Sequence, residues 1–283
     1  MLAPRYPRFP EMEFLGFILI GVVAGILAGL LGIGGGTLFT PVLLYVFSDG
    51  GVSEPVKWTI ATSLFCSFNS ALVSSLQQIH KYRLFIRDAI GLSLFGIAGT
   101  WIAQWIIHSG FYNKSAFALL FSAVLLYTAY RFLTNNSISI EKKRLHRHRE
   151  LVFHDMALIG LSSGLVSSLA GIGGGMVIVP AMTMLYHQHI RKVIATSSLV
   201  VVLVALAGWL QLALETVKES GISSYTLGYV DLGAATPLVI GSLSGAVIGV
   251  RLGQYVNKKT LQRIFGFIAI LLALKLLRDF IIL

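Results

Sequence analysis

The chain has 283 residues, 55% of them hydrophobic and only 12% charged, and its mean hydropathy is +0.80. Soluble domains carry about 25% charged residues, so this composition excludes a soluble globular protein and describes one embedded in a bilayer. The net charge of +10 does not point to a nucleic-acid binder, because the basic residues cluster in short loops between apolar runs, as membrane orientation requires.

Taken in chain order, residues 1–13 are a proline-bearing surface lead-in without a cleavage-type site. Residues 14–134 form a first transmembrane repeat, with apolar segments at roughly 14–32, 36–48, 58–79, 87–108 and 115–134. A basic, cytoplasmic linker occupies 135–151. Residues 152–283 form the second repeat, with segments at roughly 152–171, 175–187, 192–214, 227–252 and 260–282. Runs such as GFILIGVVAGILAGLLGIGGG reach the roughly 20 residues that cross a bilayer as helix. The fold class expected is therefore an all-α polytopic membrane protein. Its single cysteine, Cys66, lies in an apolar run, so no disulfide framework exists.

Gly34 and Gly173 lie 139 residues apart and open the same pattern. LLGIGGGTLFTP at 30–41 is echoed by LAGIGGGMVIVP at 169–180. After a short length change, Ala61-Thr62-Ser63 matches Ala195-Thr196-Ser197, Lys57 matches Arg191, and Gln77 matches Gln211. The second segment of each repeat is too short to span upright. It forms either a broken, re-entrant hairpin turning at the glycines or a tilted span. Five segments are an odd number, so the second repeat enters the membrane inverted relative to the first.

Loop charge agrees with that inversion. With the linker cytoplasmic, basic residues such as Lys81, Arg83, Arg87, Arg191 and Lys192 share its side. Acids such as Asp49, Glu54, Glu215 and Asp231 fall on the other, and both termini lie outside. Lys275 and Arg278 fit this scheme least well. Inverted repeats of this kind build secondary transporters, with substrate held near the midplane where helices are broken.

The glycines admit two readings. In one, Gly34-Gly35-Gly36 and Gly173-Gly174-Gly175 lead into the N-termini of the short segments, whose free N–H groups and positive ends stabilise an anion. Pro41 and Pro180 then lie about one turn into those helices, where a missing N–H is tolerated. In the other, the glycines serve close helix packing, as the four-residue spacing of Gly21, Gly25 and Gly29 and of Gly241, Gly245 and Gly249 suggests. A nucleotide fingerprint fails at Thr37 and Met176. The candidate substrate residues are the two glycine triplets with Thr37, Thr62, Ser63, Thr196 and Ser197. Lys57 and Arg191 are entrance or helix-end cations. The His146, His148, His187 and His189 pairs read as loop residues, with no metal, cofactor or catalytic constellation expected. No carboxylate lies well inside a span, Asp231 and Asp88 being near ends, so proton coupling has no support.

The doubled GxGGGxxxxxP pattern, the Ala-Thr-Ser after a short basic turn and GVRLGQYVNKKTLQRIFG before the last segment resemble the sulfite exporter TauE/SafE family. The likeness runs from about residue 16 to 282. It implies a permease for sulfite, organosulfonates or other small sulfur-containing anions in a prokaryotic cytoplasmic membrane. Met176 departs from Thr37, so the two half-sites are not chemically equivalent. The function expected is alternating-access transport, with export aided by the membrane potential. The alternatives are an anion channel and a non-transporting membrane-embedded enzyme or assembly factor.

Overall fold

The computed structural model describes residues 11–79, 86–109, 112–134, 151–184, 186, 190–217, 221–253, 255 and 258–282. Residues 1–10 of the lead-in, all of the linker but Leu151, and the four histidines of the two pairs lie outside the described residues.

Ten helices carry the described chain, as befits a backbone that must satisfy its own hydrogen bonds in lipid. In the first half they are α1 (Glu11–Leu31), α2 (Gly36–Asp49), α3 (Pro55–Ile79), α4 (Ile86–His108) and α5 (Lys114–Thr134). In the second they are α6 (Phe153–Ala170), α7 (Gly175–Met184), α8 (Ile190–Ala213), α9 (Leu232–Leu252) and α10 (Lys258–Ile282). Five of these, α1, α3, α4, α8 and α9, contain segments long and apolar enough to cross a membrane. The protein is an all-α, multi-pass membrane protein.

Where α1 and α6 end, a left-handed glycine does the terminating. Gly32 (φ 66°) and Gly171 (φ 68°) adopt a conformation that a side chain would resist. Gly32 donates its N–H to the carbonyl of Ala28, and Gly171 donates to that of Ser167. The apolar run expected from 227 begins its helix later, at Leu232. Thr226–Leu227 and Val230–Asp231 first pair as a two-residue antiparallel hairpin. Asp231 then caps α9 by accepting the N–H of Ala234 at 3.0 Å.

Helices pack mostly across the halves. The first helix of each half lies on the fourth of the other, α1 on α9 and α6 on α4. The third helices, α3 and α8, lie against each other, as do the fifth, α5 and α10. Small residues make the first two crossings possible. Gly21 and Gly25 of α1 face backbone of α9, while Gly241, Gly245 and Gly249 of α9 face backbone of α1. Gly164 of α6 meets the carbonyl of Gly96 in α4.

The two short helices have 14 and 10 residues, or about 21 Å and 15 Å at 1.5 Å per residue. Pro41 and Pro180 stand deeper in them than the sequence suggested. Each is the sixth helical residue, counted from Gly36 and Gly175. That is beyond the first four N–H groups, which lack partners in any helix. Each proline therefore removes a donor that would have met the carbonyl four residues before it, at Thr37 and Met176.

Candidate functional site

The two glycine turns meet at the centre of the molecule, and every residue of each is buried. Helices α2 and α7 start at Gly36 and Gly175, so both turns point helix N-termini inward. Gly35 caps α2 with no side-chain partner for the first N–H groups. A Cβ on Gly36 would lie 2.6 Å from the carbonyl oxygen of Gly171. A Cβ on Gly175 would lie 2.5 Å from Cα of Ile33. The turns thus touch backbone to backbone, reciprocally, and at these positions the glycines serve close approach. Gly34 (φ 78°) and Gly173 (φ 92°) differ. A side chain at either would face the side chains of Ser67 and Val201, and one on Gly34 would also meet the carbonyl of Ile172 at 3.2 Å.

Hydroxyl groups tie each turn to the opposite half. Ser63 of α3 donates to the carbonyl of Gly171 at 2.8 Å, and Thr40 of α2 donates to the same oxygen at 3.1 Å. Ser197 of α8 donates to the carbonyl of Gly32 at 2.6 Å. The other candidate hydroxyls bond away from the turns. Thr62 accepts the N–H of Asp231 at 3.1 Å, and Thr196 donates back to the carbonyl of Lys192 at 2.9 Å. Thr37 and its counterpart Met176 are both buried. The structure therefore brings the glycine triplets, Ser63 and Ser197 together at one centre, and places Thr62 and Thr196 at its edges.

Polar groups are distributed unevenly around that centre. In the first half Thr40, Ser67 and Ser70 stand where the second half has Val179, Val201 and Val204. In the second half Ser163, Ser167 and Ser168 stand where the first has Ala24, Ala28 and Gly29. These sets meet at the second turn. Ser67 Oγ lies 4.0 Å from where a Cβ on Gly173 would be, and Ser167 Cβ lies 3.4 Å from one on Gly174. Ser163 donates to the carbonyl of Gly174 at 3.1 Å. The hydroxyls of Ser67, Ser167 and Ser168 are fully buried and have no hydrogen-bond partner among the described residues. Ser67 and Ser167 flank the second turn, whereas the Ser168 hydroxyl faces Gly208 of α8. A buried polar group without a partner costs about 1–3 kcal/mol, which sets the pair beside the turn apart from the latched hydroxyls. Sequence reading had passed over these serines. Their signal was the four-residue spacing, Ser63 to Ser67 and Ser163 to Ser167, which puts each pair on one helix face.

The flanks hold the charges. At one end of α3, Lys57 pairs with Glu54 at 2.7 Å and lies 5.2 Å over the ring of Tyr229. The Tyr229 hydroxyl donates to the other oxygen of Glu54. Burial alone would raise the Glu54 pKa. The hydrogen bonds from Lys57 and Tyr229, with the Lys57 charge, outweigh it and hold the carboxyl below its ordinary value. Beside this group His108 contacts Glu215 at 3.0 Å. At the other face Arg191 is exposed, and its neighbour Lys192 pairs with Asp88 of α4 at 2.7 Å. Asp231 is fully buried in spite of its place at a helix end, because the loop before it folds inward. Ser223 donates to it from both N–H and hydroxyl, at 2.9 and 2.5 Å. Among the described residues no group of three or more His, Cys, Asp or Glu is arranged to hold a metal ion.

Comparison with known proteins agrees with this architecture. The chain is 26% identical to a probable membrane transporter protein of Methanocaldococcus jannaschii, over 89% of this chain and 92% of that protein. It is 28% identical to one of Haemophilus influenzae, over 92% and 96% respectively. It is 23% identical to one of Bacillus subtilis, over 95% and 98%. No solved structure gives a significant match. The description that fits residues 17–276 is sulfite exporter TauE/SafE. With nearly the whole chain matched and the paired glycine turns at its centre, this protein belongs to the TauE/SafE sulfite exporter family.

Proposed function

We propose that this membrane transporter carries a small sulfur-containing anion, sulfite or an organosulfonate, through a central site at the second glycine turn. The observation that carries the proposal is the pair of buried hydroxyls of Ser67 and Ser167 beside Gly173 and Gly174, without partners among the described residues. Donors of that kind, with the N-terminus of α7 beside them, suit the oxygens of a sulfonate or sulfite and stabilise its charge without a buried cation. The family description supports the choice of a sulfur oxyanion.

Reciprocal packing of the halves supports an inverted repeat, and an inverted repeat supports alternating access. In the present arrangement the turns are in contact. Substrate then enters only when they part, which breaks the Ser63–Gly171 and Ser197–Gly32 bonds and frees both hydroxyls. Gly34, Gly35, Gly36 and Thr37 form the opposite wall of the opened site. Lys57 and Arg191, at the two faces, guide the anion in. The loop charges support a cytoplasmic linker, both termini outside, and residence in the cytoplasmic membrane. An interior-negative potential drives an anion outward by about 2.3 kcal/mol per charge per 100 mV, so export needs no coupling ion.

The test is flux of labelled sulfite and of a sulfonate panel into proteoliposomes under an imposed potential. Wild-type protein is compared with Ser67→Ala and with Gly34→Leu and Gly173→Leu. Saturable, potential-sensitive flux that falls at least tenfold in a folded Ser67→Ala variant is the expected result. Flux that never saturates would identify a channel. Silence toward every anion in the panel, or wild-type flux in Ser67→Ala, would remove the substrate from this site.

A further inference from the structure

A second feature of the molecule lies away from the glycine turns. Between α2, α5 and α10 runs an open groove of about 590 Å³. Its walls include Val42, Leu44 and Tyr45 of α2, Ala118 of α5, and Leu272 and Leu276 of α10. Its polar lining is gathered at one end, where Ser48 and Asp49 finish α2, Lys114 and Ser115 begin α5, and Lys275 and Asp279 lie in the last turns of α10. Three helices thus change from apolar to charged in the same direction along one channel. That gradient matches the step from acyl chain to headgroup at a membrane surface.

The charges also specify the headgroup. Asp279 is occupied by its neighbour Arg278 at 3.2 Å. Lys275 sits over the exposed ring of Tyr45, its Nζ 5.4 Å from the centroid, which stations the ammonium at the groove mouth. With Asp279 neutralised by Arg278, which stands outside the lining, Lys114 and Lys275 face Asp49 alone and leave the mouth with an excess of one positive charge. Lys275 is one of the two cations that fit the loop-charge pattern least well, and unlike Arg278 it has no carboxylate partner among the described ion pairs. Aromatic and lysine side chains at this depth are those that meet lipid phosphates.

We infer that this groove binds a phospholipid of net negative charge, one acyl chain lying along α2 and α10 and the phosphate held between Lys114 and Lys275. The site is independent of which anion the protein transports. Its occupant is a bilayer lipid because the groove opens sideways at Tyr45, which is 63% exposed on the face of a membrane protein.

Native mass spectrometry of the full chain, purified in detergent and delipidated, reads the site directly. Dioleoyl-phosphatidylglycerol is titrated against dioleoyl-phosphatidylcholine, with water-soluble glycerol phosphate as a third arm. Each lysine near a membrane surface contributes about 1 kcal/mol toward anionic lipid, so phosphatidylglycerol binds on the order of tenfold tighter than phosphatidylcholine. The Lys114→Gln/Lys275→Gln variant erases that preference, and Leu272→Trp, which fills the groove and leaves the charges, weakens both lipids. Circular dichroism checks that each variant is folded. Equal binding of the two lipids by the wild type overturns the inference, as does glycerol phosphate binding as tightly as the lipid. Lipid binding that emerges only when residues 1–10 are deleted overturns it too, by assigning the groove to the chain's own N-terminus.

Discussion

The Ser63 hydroxyl donates to the carbonyl of Gly171 at 2.8 Å, across the boundary between the two halves. The relation is repeated in reverse by Ser197 and Gly32 at 2.6 Å. The two latches are alike in form and differ in redundancy. Gly171 also accepts from Thr40, whereas among the described hydrogen bonds Gly32 accepts from Ser197 alone.

That difference predicts an order of stability. Ser197→Ala strands a buried carbonyl and lowers stability by about 1–3 kcal/mol, while Ser63→Ala leaves Thr40 in place and costs about half as much. Thermal unfolding of the purified variants in detergent measures both. A loss for Ser63→Ala equal to or larger than that for Ser197→Ala contradicts the assignment.

The unpartnered serines predict the opposite sign. Ser67→Ala and Ser167→Ala remove hydroxyls that have no partner among the described residues, so stability stays within about 0.5 kcal/mol of wild type or rises. Transport falls nonetheless, the separation of stability from activity expected of a binding group. A marked drop in melting temperature for either variant would show that the hydroxyl is structural.

Helix packing yields a third prediction. A methyl on Gly164 runs into the carbonyl of Gly96, so Gly164→Ala costs about 4 kcal/mol or more and lowers the yield of folded protein. Gly16, in α1, has nothing within 4 Å of an added Cβ. Gly16→Ala therefore gains up to about 1 kcal/mol of helix propensity. Size-exclusion profiles and melting curves of the pair decide it.

Glu54 sets a pH dependence. Its folded pKa is held below the ordinary carboxylate value by Lys57 and Tyr229, which overcome burial. The stability it contributes is thus present above the unfolded pKa and lost as pH falls through the depressed folded value. Glu54→Gln should flatten that acid limb and leave the neutral and alkaline limbs little changed. Melting curves across an acid series, with an unaltered limb in Glu54→Gln, would count against the triad of Glu54, Lys57 and Tyr229.

Much of this was legible before any fold was known. Apolar runs and helix-stopping glycines are local properties, so the helices fell close to the segments read from composition, the short pair after the GIGGG stretches included. The late start of α9 was not legible. It depends on the turn at Gly228 and on Asp231 capping the helix, and both read as part of one apolar run. The packing face of Gly21 and Gly25 was legible too, since spacing alone assigns residues to a helix face.

What the chain could not disclose one residue at a time is which groups meet. Sequence determines that this is a multi-pass helical membrane protein with a doubled glycine turn, because bilayer thickness and backbone hydrogen bonding act within each segment. Only tertiary structure decides that Gly36 spends its missing side chain on the backbone of Gly171 and Ile172. Only there do Ser63 and Ser197 become latches, and Ser67 and Ser167 hydroxyls without partners among the described residues. The reason is physical. Whether a serine in an apolar helix is satisfied depends on the acceptor that another helix brings within 3 Å, and that helix lies more than a hundred residues away in the chain.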